Sequence, residues 1–312
     1  MKRRFWVISL SIFMVFGCQP QHDPINVVGN SWLGYQPFYA QHKLNPEQQP
    51  QGIHITMLVS DISVVRMLTN QAASVAMLSL DNAISLNSRT NLDLCIALAM
   101  SSSDGADAVL AAPNFLPELS KDGPIRVGME DSALARYVVS RWIEEKSIDE
   151  TRLQRHILLP TGHISALKNN DVDVIATYAP FTQILAEQGA EVIFSSQEIP
   201  DEIIDTVVVR QDAWRLHKER LLSFITHSWD TALREAQTPD SDVFKAMMKL
   251  SGLSATELRT TMAQLKFYDS QTSREFLATR YTEVSNIVSS HLAEAGLFST
   301  PRSLPVCEGV LE

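Results

Sequence analysis

The sequence predicts an α/β protein of two lobes in which the chain passes from one lobe to the other twice. Strand and helix patterns alternate from residue 25 to residue 212, which is typical of mostly parallel sheets covered by helices. Two apolar runs, GADAVLAAP (105–113) and DTVVVRQD (205–212), bracket a self-contained unit of strands and helices. After residue 212 the pattern is helical only, so we expect a helical C-terminal tail that packs back onto one lobe.

The predicted elements follow from apolar periodicity and from turn residues. Strands are expected at 25–28, 53–59, 75–77, 92–99, 106–111, 125–128, 154–159, 172–177, 191–194 and 206–210. Helices are expected between them, for example at 63–70, 133–145, 164–169 and 181–188. The tail is predicted to hold helices at 213–237, 241–250, 255–265 and 273–295, with Gly296 as a helix C-cap.

The N-terminus has the pattern of an export signal. A basic stretch, MKRR, precedes the apolar run FWVISLSIFMVF, which at about 1.5 Å per residue is too short for a bilayer core of about 30 Å. Val15-Phe16-Gly17-Cys18 resembles a bacterial lipobox, which implies cleavage before Cys18 and a lipid on its sulfur. The alternative is a chance cysteine after an ordinary signal. Residues 19–24 are polar and are expected to form a tether.

Composition excludes several function classes. Of the residues, 45% are hydrophobic and 20% are charged, as in folded globular proteins, and the formal net charge of −10 disfavours a nucleic-acid partner. The sequence contains no G-x-S-x-G, H-E-x-x-H, P-loop or G-x-G-x-x-G motif, and its histidines lack metal-ligand spacing. We therefore predict neither an enzyme nor a metal or cofactor site.

Two cysteines follow the predicted signal segment. Cys95 lies in the apolar run LDLCIALAM and is expected to be buried, and Cys307 lies in the Pro-containing tail. An exported protein meets an oxidising compartment, so these cysteines can pair, but the sequence alone leaves the pairing open.

Polar and aromatic residues recur where a predicted strand ends and a helix begins. The first example is NSWLGYQPFYAQHKL (30–44), which carries four aromatic residues. Each Ser, Thr or Asp at such a junction can be an ordinary helix cap, which is the first interpretation of Asp61, Asp81 and Thr161. Together, adjacent helix N-termini can orient a small polar ligand. The sequence thus predicts a ligand cleft between the lobes, at the carboxyl ends of the strands.

Four segments together resemble one protein family. SWLGYQPFYAQHK, SSSDGADAVLA, DVDVIATYAPF and SSQEIPDEIIDTVVVR are similar, in that order, to the NitT/TauT-type ABC transporter solute-binding proteins, which bind nitrate, taurine, alkanesulfonates, bicarbonate or thiamine-pyrimidine precursors. The resemblance implies a type II periplasmic-binding-protein fold with two hinge crossings. The expected division is a signal peptide at 1–17, a tether at 18–24, a first lobe at 25–113 plus 205–312, and a second lobe at 114–204.

The resemblance also implies a set of ligand-binding residues in the cleft. Trp32 and Tyr35 are expected to form a pocket wall, whereas Phe38 and Tyr39 are assigned to the core. His163 is the only basic side chain of the cleft loops, which favours neutral hydrogen bonding or a cationic ligand group; an anion held by backbone amides is the alternative. The complete set is Ser31, Trp32, Tyr35, Ser79, Asp81, Ser102, Ser103, Asp104, Gly105, Ser132, Tyr178, Pro180, Phe181 and Asp205.

The function implied by the resemblance is solute capture outside the cytoplasm. We expect a monomeric lipoprotein, anchored through Cys18, that delivers a small molecule to an ABC permease in the inner membrane. One alternative is a periplasmic sensor subunit that presents its ligand-bound form to a membrane receptor. A third is an enzyme of the pyrimidine-synthase type, although the cysteine-rich CCxxC motif of such enzymes is absent from this sequence.

Overall fold

Apolar runs form the strands at nearly all the predicted positions. The computed structural model describes residues 24–45, 52–113, 115–116 and 122–312, so the signal segment and Cys18 lie outside the described residues. The strands are β1 Ile25–Gly29, β2 Ile53–Met57, β3 Val75–Ser79, β4 Leu94–Ser103, β5 Asp107–Ala111, β6 Ile125–Met129, β7 Leu153–Ile157, β8 Val174–Tyr178, β9 Glu191–Ser195, β10 Ile204–Arg210 and β11 Leu265–Phe267.

Helices follow most of these strands. They are α1 Gln36–Leu44, α2 Asp61–Thr69, α3 Leu80–Arg89, α4 Ala133–Glu145, α5 His163–Lys168, α6 Phe181–Glu187, α7 Gln211–Gln237, α8 Asp242–Ser251, α9 Ala255–Met262, α10 Ser270–Thr279 and α11 Tyr281–Glu294. Short side chains start several of them: the Ser60 and Ser132 hydroxyls accept hydrogen bonds from the first turns of α2 and α4. No described helix is both long and apolar enough to cross a bilayer.

The strands form two separate sheets. The first has the order β11-β4-β10-β3-β1-β2, and the second has the order β7-β6-β8-β5-β9. Parallel pairs, such as β1 with β2 and β3, occupy one side of the first sheet, and β10 runs antiparallel to β3 and β4. In the second sheet β6 is parallel to β7 and β8, and β5 is antiparallel to β8 and β9.

The chain passes between the two sheets twice among the described residues. The first passage joins β4 to β5 through residues 104–106, and the second joins β9 to β10 through residues 196–203. The prediction placed residues 107–111 with the first lobe, which is wrong because β5 pairs with β8 and β9 in the second sheet. The strand itself lies where expected; its partners, which are distant in sequence, decide the sheet.

The C-terminal part differs from the prediction in two places. Leu265, expected to be the last residue of a helix in a tail without strands, instead begins β11 (Leu265–Phe267) on the edge of β4. The predicted helix 273–295 is two helices, α10 and α11, separated at Arg280, where neither glycine nor proline marks the break. As expected, Gly296 directly after α11 has a positive φ of 73°.

The end of the chain is fastened to the first sheet. Cys95 and Cys307 form a disulfide, which answers the question that the sequence left open. Beside it, Ile96 and Val306 form a parallel bridge, and the Ile96 carbonyl accepts a hydrogen bond from the Cys307 amide. The tail residues therefore extend the core around β4.

Candidate functional site

The candidate site lies where the loops of the two sheets face each other. The first sheet contributes the residues after β1, β2 and β3, and the second contributes those after β6 and β8. Among the described residues, hydrogen bonds between the two sides include the Ala133 amide donating to Asn82 Oδ1 at 2.9 Å and the Ile62 amide donating to Glu130 Oε1 at 3.3 Å. Both donors lie in the first turn of a helix, α4 and α2 respectively.

Asp205, at the start of β10, holds the first cleft loop in place. Its carboxylate accepts hydrogen bonds from Trp32 Nε1 at 2.8 Å and from the Tyr35 hydroxyl at 3.2 Å. The Ser101 hydroxyl is a third donor. Burial raises the pKa of Asp205 to about 6, although all three donors favour the charged form. Trp32 and Tyr35 are therefore tied by their polar atoms to a carboxylate of the same sheet.

Asp61 is part of a second polar network and is not a helix cap. The N-cap of α2 is Ser60, and the two Asp61 oxygens accept from Asn30 Nδ2 and Asn82 Nδ2, both at 2.8 Å. Asn82 also donates to the Ser79 hydroxyl at 3.0 Å. The first interpretation of Asp61 is thus wrong, because Ser60 precedes it and supplies the capping oxygen.

An aromatic cluster spans the interface. The rings of Trp32 and Tyr178 meet edge to face with centroids 5.6 Å apart, and Tyr178 contacts Phe181 in the same way at 5.8 Å. The His163 ring packs against Phe181 at 6.3 Å. Because Trp32 belongs to the first sheet and Tyr178 to the second, this cluster covers the inner surface between them.

The other aromatic residues of the first loop belong to the core. Phe38 packs against Phe224 and Trp229 of α7, with centroids 5.4 and 6.1 Å apart. The Tyr39 hydroxyl donates to the Asn30 carbonyl at 3.1 Å. Phe38 therefore packs against the helical tail and Tyr39 against the end of β1, and both side chains are buried.

A small cavity lies on the second-sheet side of the cleft. Its volume is about 10 Å³, roughly the space of one water molecule. Four of its lining residues present buried polar atoms without a hydrogen-bond partner: Asp107 Oδ2, Glu130 Oε2, Tyr178 Oη and His163 Nε2. Native proteins rarely leave so many buried polar atoms unpaired, so this cavity is built to receive a further polar group.

Five buried carboxyl groups surround the cleft; we call them the cleft carboxyls, Asp61, Asp81, Asp107, Glu130 and Asp205. Burial raises the pKa of Asp81 and Glu130 to about 7 and raises that of Asp61 and Asp107 well above its usual range. In the part of the chain that the structure describes, no cleft carboxyl forms an ion pair with lysine or arginine.

Uncharged groups complete the cavity walls. Burial lowers the pKa of His163 to about 4, so its imidazole is neutral at pH 7, and its Nδ1 lies 2.9 Å from the Thr177 hydroxyl. Burial raises the pKa of Tyr178 well above its usual value, and the nearby carboxyls raise it further. The cavity therefore carries excess negative charge whenever its carboxyls are ionised.

A larger groove adjoins this cavity. It has a volume of about 360 Å³ and lies between α2 and α3 of the first sheet and the start of α4. Ser132, the N-cap of α4, lines both the groove and the cavity. A small organic molecule fits the groove, whereas the cavity holds only one of its polar groups.

Several residues predicted for the site are buried at strand ends or near the passages between the sheets. The buried Ser103 hydroxyl, at the end of β4, lies 2.8 Å from the Ser196 hydroxyl of the second passage. The same Ser196 hydroxyl accepts from the amide of Gly105, which is half-buried in the first passage, at 2.6 Å. Asp81 has one buried oxygen, Oδ2, with no partner. The remaining buried members of the predicted set are Trp32, Tyr35, Ser79, Ser102, Ser132, Tyr178, Pro180 and Asp205.

Besides Gly105, three predicted residues are more open. Asp104 is exposed, and its amide donates to the Gln264 carbonyl at 2.8 Å, on the helical tail. Ser31 is half-buried, and its carbonyl accepts from Gln36 Nε2. Phe181 is half-buried at the rim of the aromatic cluster. Of the predicted set, Ser132 and Tyr178 line the groove or the cavity, Asp104 lies on the surface, and the ligand-binding role of the set stays a prediction.

Sequence reasoning missed several residues of the cleft. The sequence predicts Asp107 only as part of an apolar strand. It predicts no role for Glu130, which directly precedes Asp131 and Ser132. A lone carboxylate inside the run GADAVLAAP was the available signal for Asp107, since a buried acid in a strand needs a reason. Asn30, Asn82 and Ser101 gave no such signal, because their roles depend on contacts between distant segments.

Among the described residues, no group of three or more His, Cys, Asp or Glu side chains has an arrangement that could hold a metal ion. The sequence matches no protein-family profile and no curated protein.

Comparison with solved structures reveals the fold. The ligand-binding component of an ABC-type import system from Staphylococcus aureus, crystallised with zinc bound, superposes with a TM-score of 0.74 at 12% identity, over 93% of this chain and 98% of that one. The alkanesulfonate-binding protein SsuA from Xanthomonas axonopodis pv. citri, bound to MOPS, gives 0.69 at 13% identity, over 88% and 98%.

A third similar structure is a conserved Candida albicans gene product described as having the generic periplasmic binding protein fold. It superposes with a TM-score of 0.67 at 12% identity, over 89% of this chain and 92% of that one. The predicted fold class, a type II periplasmic-binding-protein fold with two lobes, two crossings and a helical tail, is confirmed. At these identities the likeness concerns the fold.

Proposed function

We propose that this protein is an extracytoplasmic solute-binding lipoprotein that captures a small molecule between its two lobes for an ABC importer. The observation that carries the proposal is the cavity on the second-sheet side of the cleft, where buried polar atoms of Asp107, Glu130, Tyr178 and His163 have no partner. Solute-binding neighbours with the same fold support it, as does the family resemblance of the cleft segments. We include the NitT/TauT-type subfamily in the proposal.

Closure of the lobes supplies the mechanism. A ligand favours the closed form only if it gains contacts there that the open form lacks. Here polar residues of both sides line the two spaces: Asn82 and Asp61 of the first sheet line the groove, and Glu130 and Tyr178 of the second line the cavity. A solute held by both sides would hold the lobes together, and the closed surface would be the one that the permease recognises.

A thermal-shift screen of the full chain in detergent tests solute capture. The panel contains sulfonates, nitrate, pyrimidines, amines and amino acids. A solute at about 100 times its dissociation constant stabilises the folded state by about 2.7 kcal/mol, which is easily measured. A panel in which no compound raises the melting temperature would count against the proposed function.

The lipid anchor is tested separately. Cys18→Ser removes the only predicted acceptor of the lipid, so the variant is expected in the soluble fraction after cell lysis, and the unchanged chain in the membrane fraction. A variant that stays with the membranes would contradict the lipobox assignment. A sensor role is distinguished by the membrane partner that crosslinks to the loaded protein, a receptor in place of a permease.

A further inference from the structure

We infer that the solute carries a protonated amine, or a similar organic cation, and that this group sits in the cavity between Asp107, Glu130 and Tyr178; the inference rests on the proposed solute-binding function. The sequence alone left cationic, neutral and anionic ligands open. Three features of the described residues distinguish these classes: the polar atoms without a hydrogen-bond partner, the backbone donors that already have an internal acceptor, and the side chains that line the cavity.

The free atoms can all accept hydrogen bonds from a cation once the carboxyls are ionised and the neutral imidazole of His163 presents Nε2 as an acceptor. Asp107 and Glu130 are each 2% exposed, and each has one carboxylate oxygen in the cavity wall without a partner. Tyr178, 5% exposed, adds an unpartnered hydroxyl in the same wall. A protonated amine brings up to three donors to such acceptors, and a charged donor strengthens each hydrogen bond.

Three backbone amides near the cavity that could bind an oxyanion already have internal acceptors. At the start of α4 the Ala133 amide donates to Asn82, and the Ala135 amide donates to Ser132. At the start of α2 the Ile62 amide donates to Glu130. Helix N-termini are the usual backbone sites for anions. Because these amides at the starts of α2 and α4 already have internal acceptors, they are not available to a sulfonate or a nitrate.

Charge balance agrees with this geometry. Burial without a partnering cation raises the pKa of Glu130 to about 7 and that of Asp107 well above its usual range, so without solute the folded protein holds protons on these two carboxyls at higher pH than the unfolded chain does. A cation in the cavity replaces those protons and offsets the cost of burying the ionised groups. An anion in the same place would increase that cost.

The walls favour an organic cation of modest size. The Tyr178 ring, backed by Trp32 and Phe181, gives the cavity an aromatic side, and aromatic faces attract ammonium groups. The cavity holds about one water, so only the cationic group enters it, and the rest of the solute extends into the groove past Ser132. Because Arg66 and Arg89 line that groove, this remaining part carries no positive charge.

Calorimetric and thermal titrations of the full chain in detergent at pH 8 test the inference. The cationic probes are methylammonium, ethanolammonium, putrescine and choline; the comparison probes are ethanesulfonate, nitrate, acetamide and magnesium chloride. We expect at least one amine, and none of the comparison probes, to raise the melting temperature. The affinity of that amine should fall at least tenfold in Asp107→Asn and in Glu130→Gln.

A matched variant controls for the loss of a carboxylate. Glu191→Gln removes an exposed carboxylate from β9 of the same sheet, and amine affinity should stay within about twofold of the unchanged chain. Both cavity variants resemble the protonated acid in shape, so they should fold, and their melting temperatures without probe check this directly.

The outcomes separate this inference from the proposed function. Stabilisation by ethanesulfonate, nitrate, acetamide or magnesium without stabilisation by any amine would overturn the organic cation and leave solute or ion capture standing. Amine affinity unchanged in both cavity variants would also overturn it, since the amine would then sit elsewhere. No stabilisation by any probe, here or in the wider screen, would overturn both.

Discussion

Tyr35 and Tyr178 are two buried tyrosines of the cleft with opposite hydrogen-bonding situations. The Tyr35 hydroxyl donates to Asp205, whereas the Tyr178 hydroxyl is buried without a partner. Both residues were expected to line the pocket, and the structure separates their tasks. Tyr35 helps to hold the first loop against β10, and Tyr178 presents its polar atom to the cavity.

Replacing each tyrosine by phenylalanine tests this difference. Tyr35→Phe removes a donor from a buried carboxylate and should lower the free energy of unfolding by about 1–2 kcal/mol. Tyr178→Phe removes a buried unpaired hydroxyl and should leave it within about 0.5 kcal/mol, or raise it slightly. Denaturant titrations of the protein without solute measure both, and equal losses in the two variants would contradict the assignment.

At the scale of secondary-structure elements, the two passages between the sheets are joined to each other. The Ser196 hydroxyl of the second passage accepts from the Gly105 amide of the first and contacts Ser103. Gly105 has a φ of 104°, a backbone conformation that residues other than glycine rarely adopt. A Cβ at this position would lie 3.2 Å from the Gln197 side chain. The geometry of the hinge thus depends on this glycine.

Gly105→Ala should therefore cost about 1–3 kcal/mol of folding stability through backbone strain. Gly162→Ala is the matched control, because Gly162 has a negative φ of −93° and no atom near the position of an added Cβ. The control should change the free energy of unfolding by less than about 0.5 kcal/mol. Equal effects of the two variants would show that the passage is not strained.

Elements were predictable from sequence to the extent that their signals are local. The apolar runs of β1, β3, β6 and β8 carry their own signature, and they lie where predicted. The three residues of β11 are too few to show a period, and they become a strand only because the edge of β4 is available. The sheet to which β5 belongs is likewise set by distant partners. For the same reason the strand-end loops were found as a set, whereas Asn82 and Glu130 were not.

At the scale of the whole molecule, the lobes close over acids that lack a cation. The burial of these acids makes the stability of the folded protein depend on pH. The cleft carboxyls have folded-state pKa values raised to between about 6 and 7 or further, against ordinary values near 4 in the unfolded chain. The native state then binds more protons than the unfolded state between about pH 4 and pH 7, so stability falls as pH rises through that range.

Other titratable groups also change the stability of the folded protein between about pH 4 and pH 7. His42 and His163 have lowered pKa values in the folded state and contribute in the opposite direction, but they are two groups against five. Carboxylates with lowered pKa values, such as Asp212 and Asp269, act below about pH 4. We expect the melting temperature without solute to fall from pH 4.5 to pH 7, and to fall less in Glu130→Gln. A rise over that range would contradict the assignment of the cleft carboxyls.

The distance between the lobes tests the central claim most directly. Spin labels at Thr69→Cys and Asp131→Cys, on opposite sides of the groove and in a Cys18→Ser background, report its width by pulsed electron resonance. At pH 8 without solute we expect a long, broad distance distribution, since the ionised cleft carboxyls oppose closure. The solute with the largest thermal shift should shorten and narrow it. A distribution that is identical with and without that solute would contradict capture by closure of two lobes.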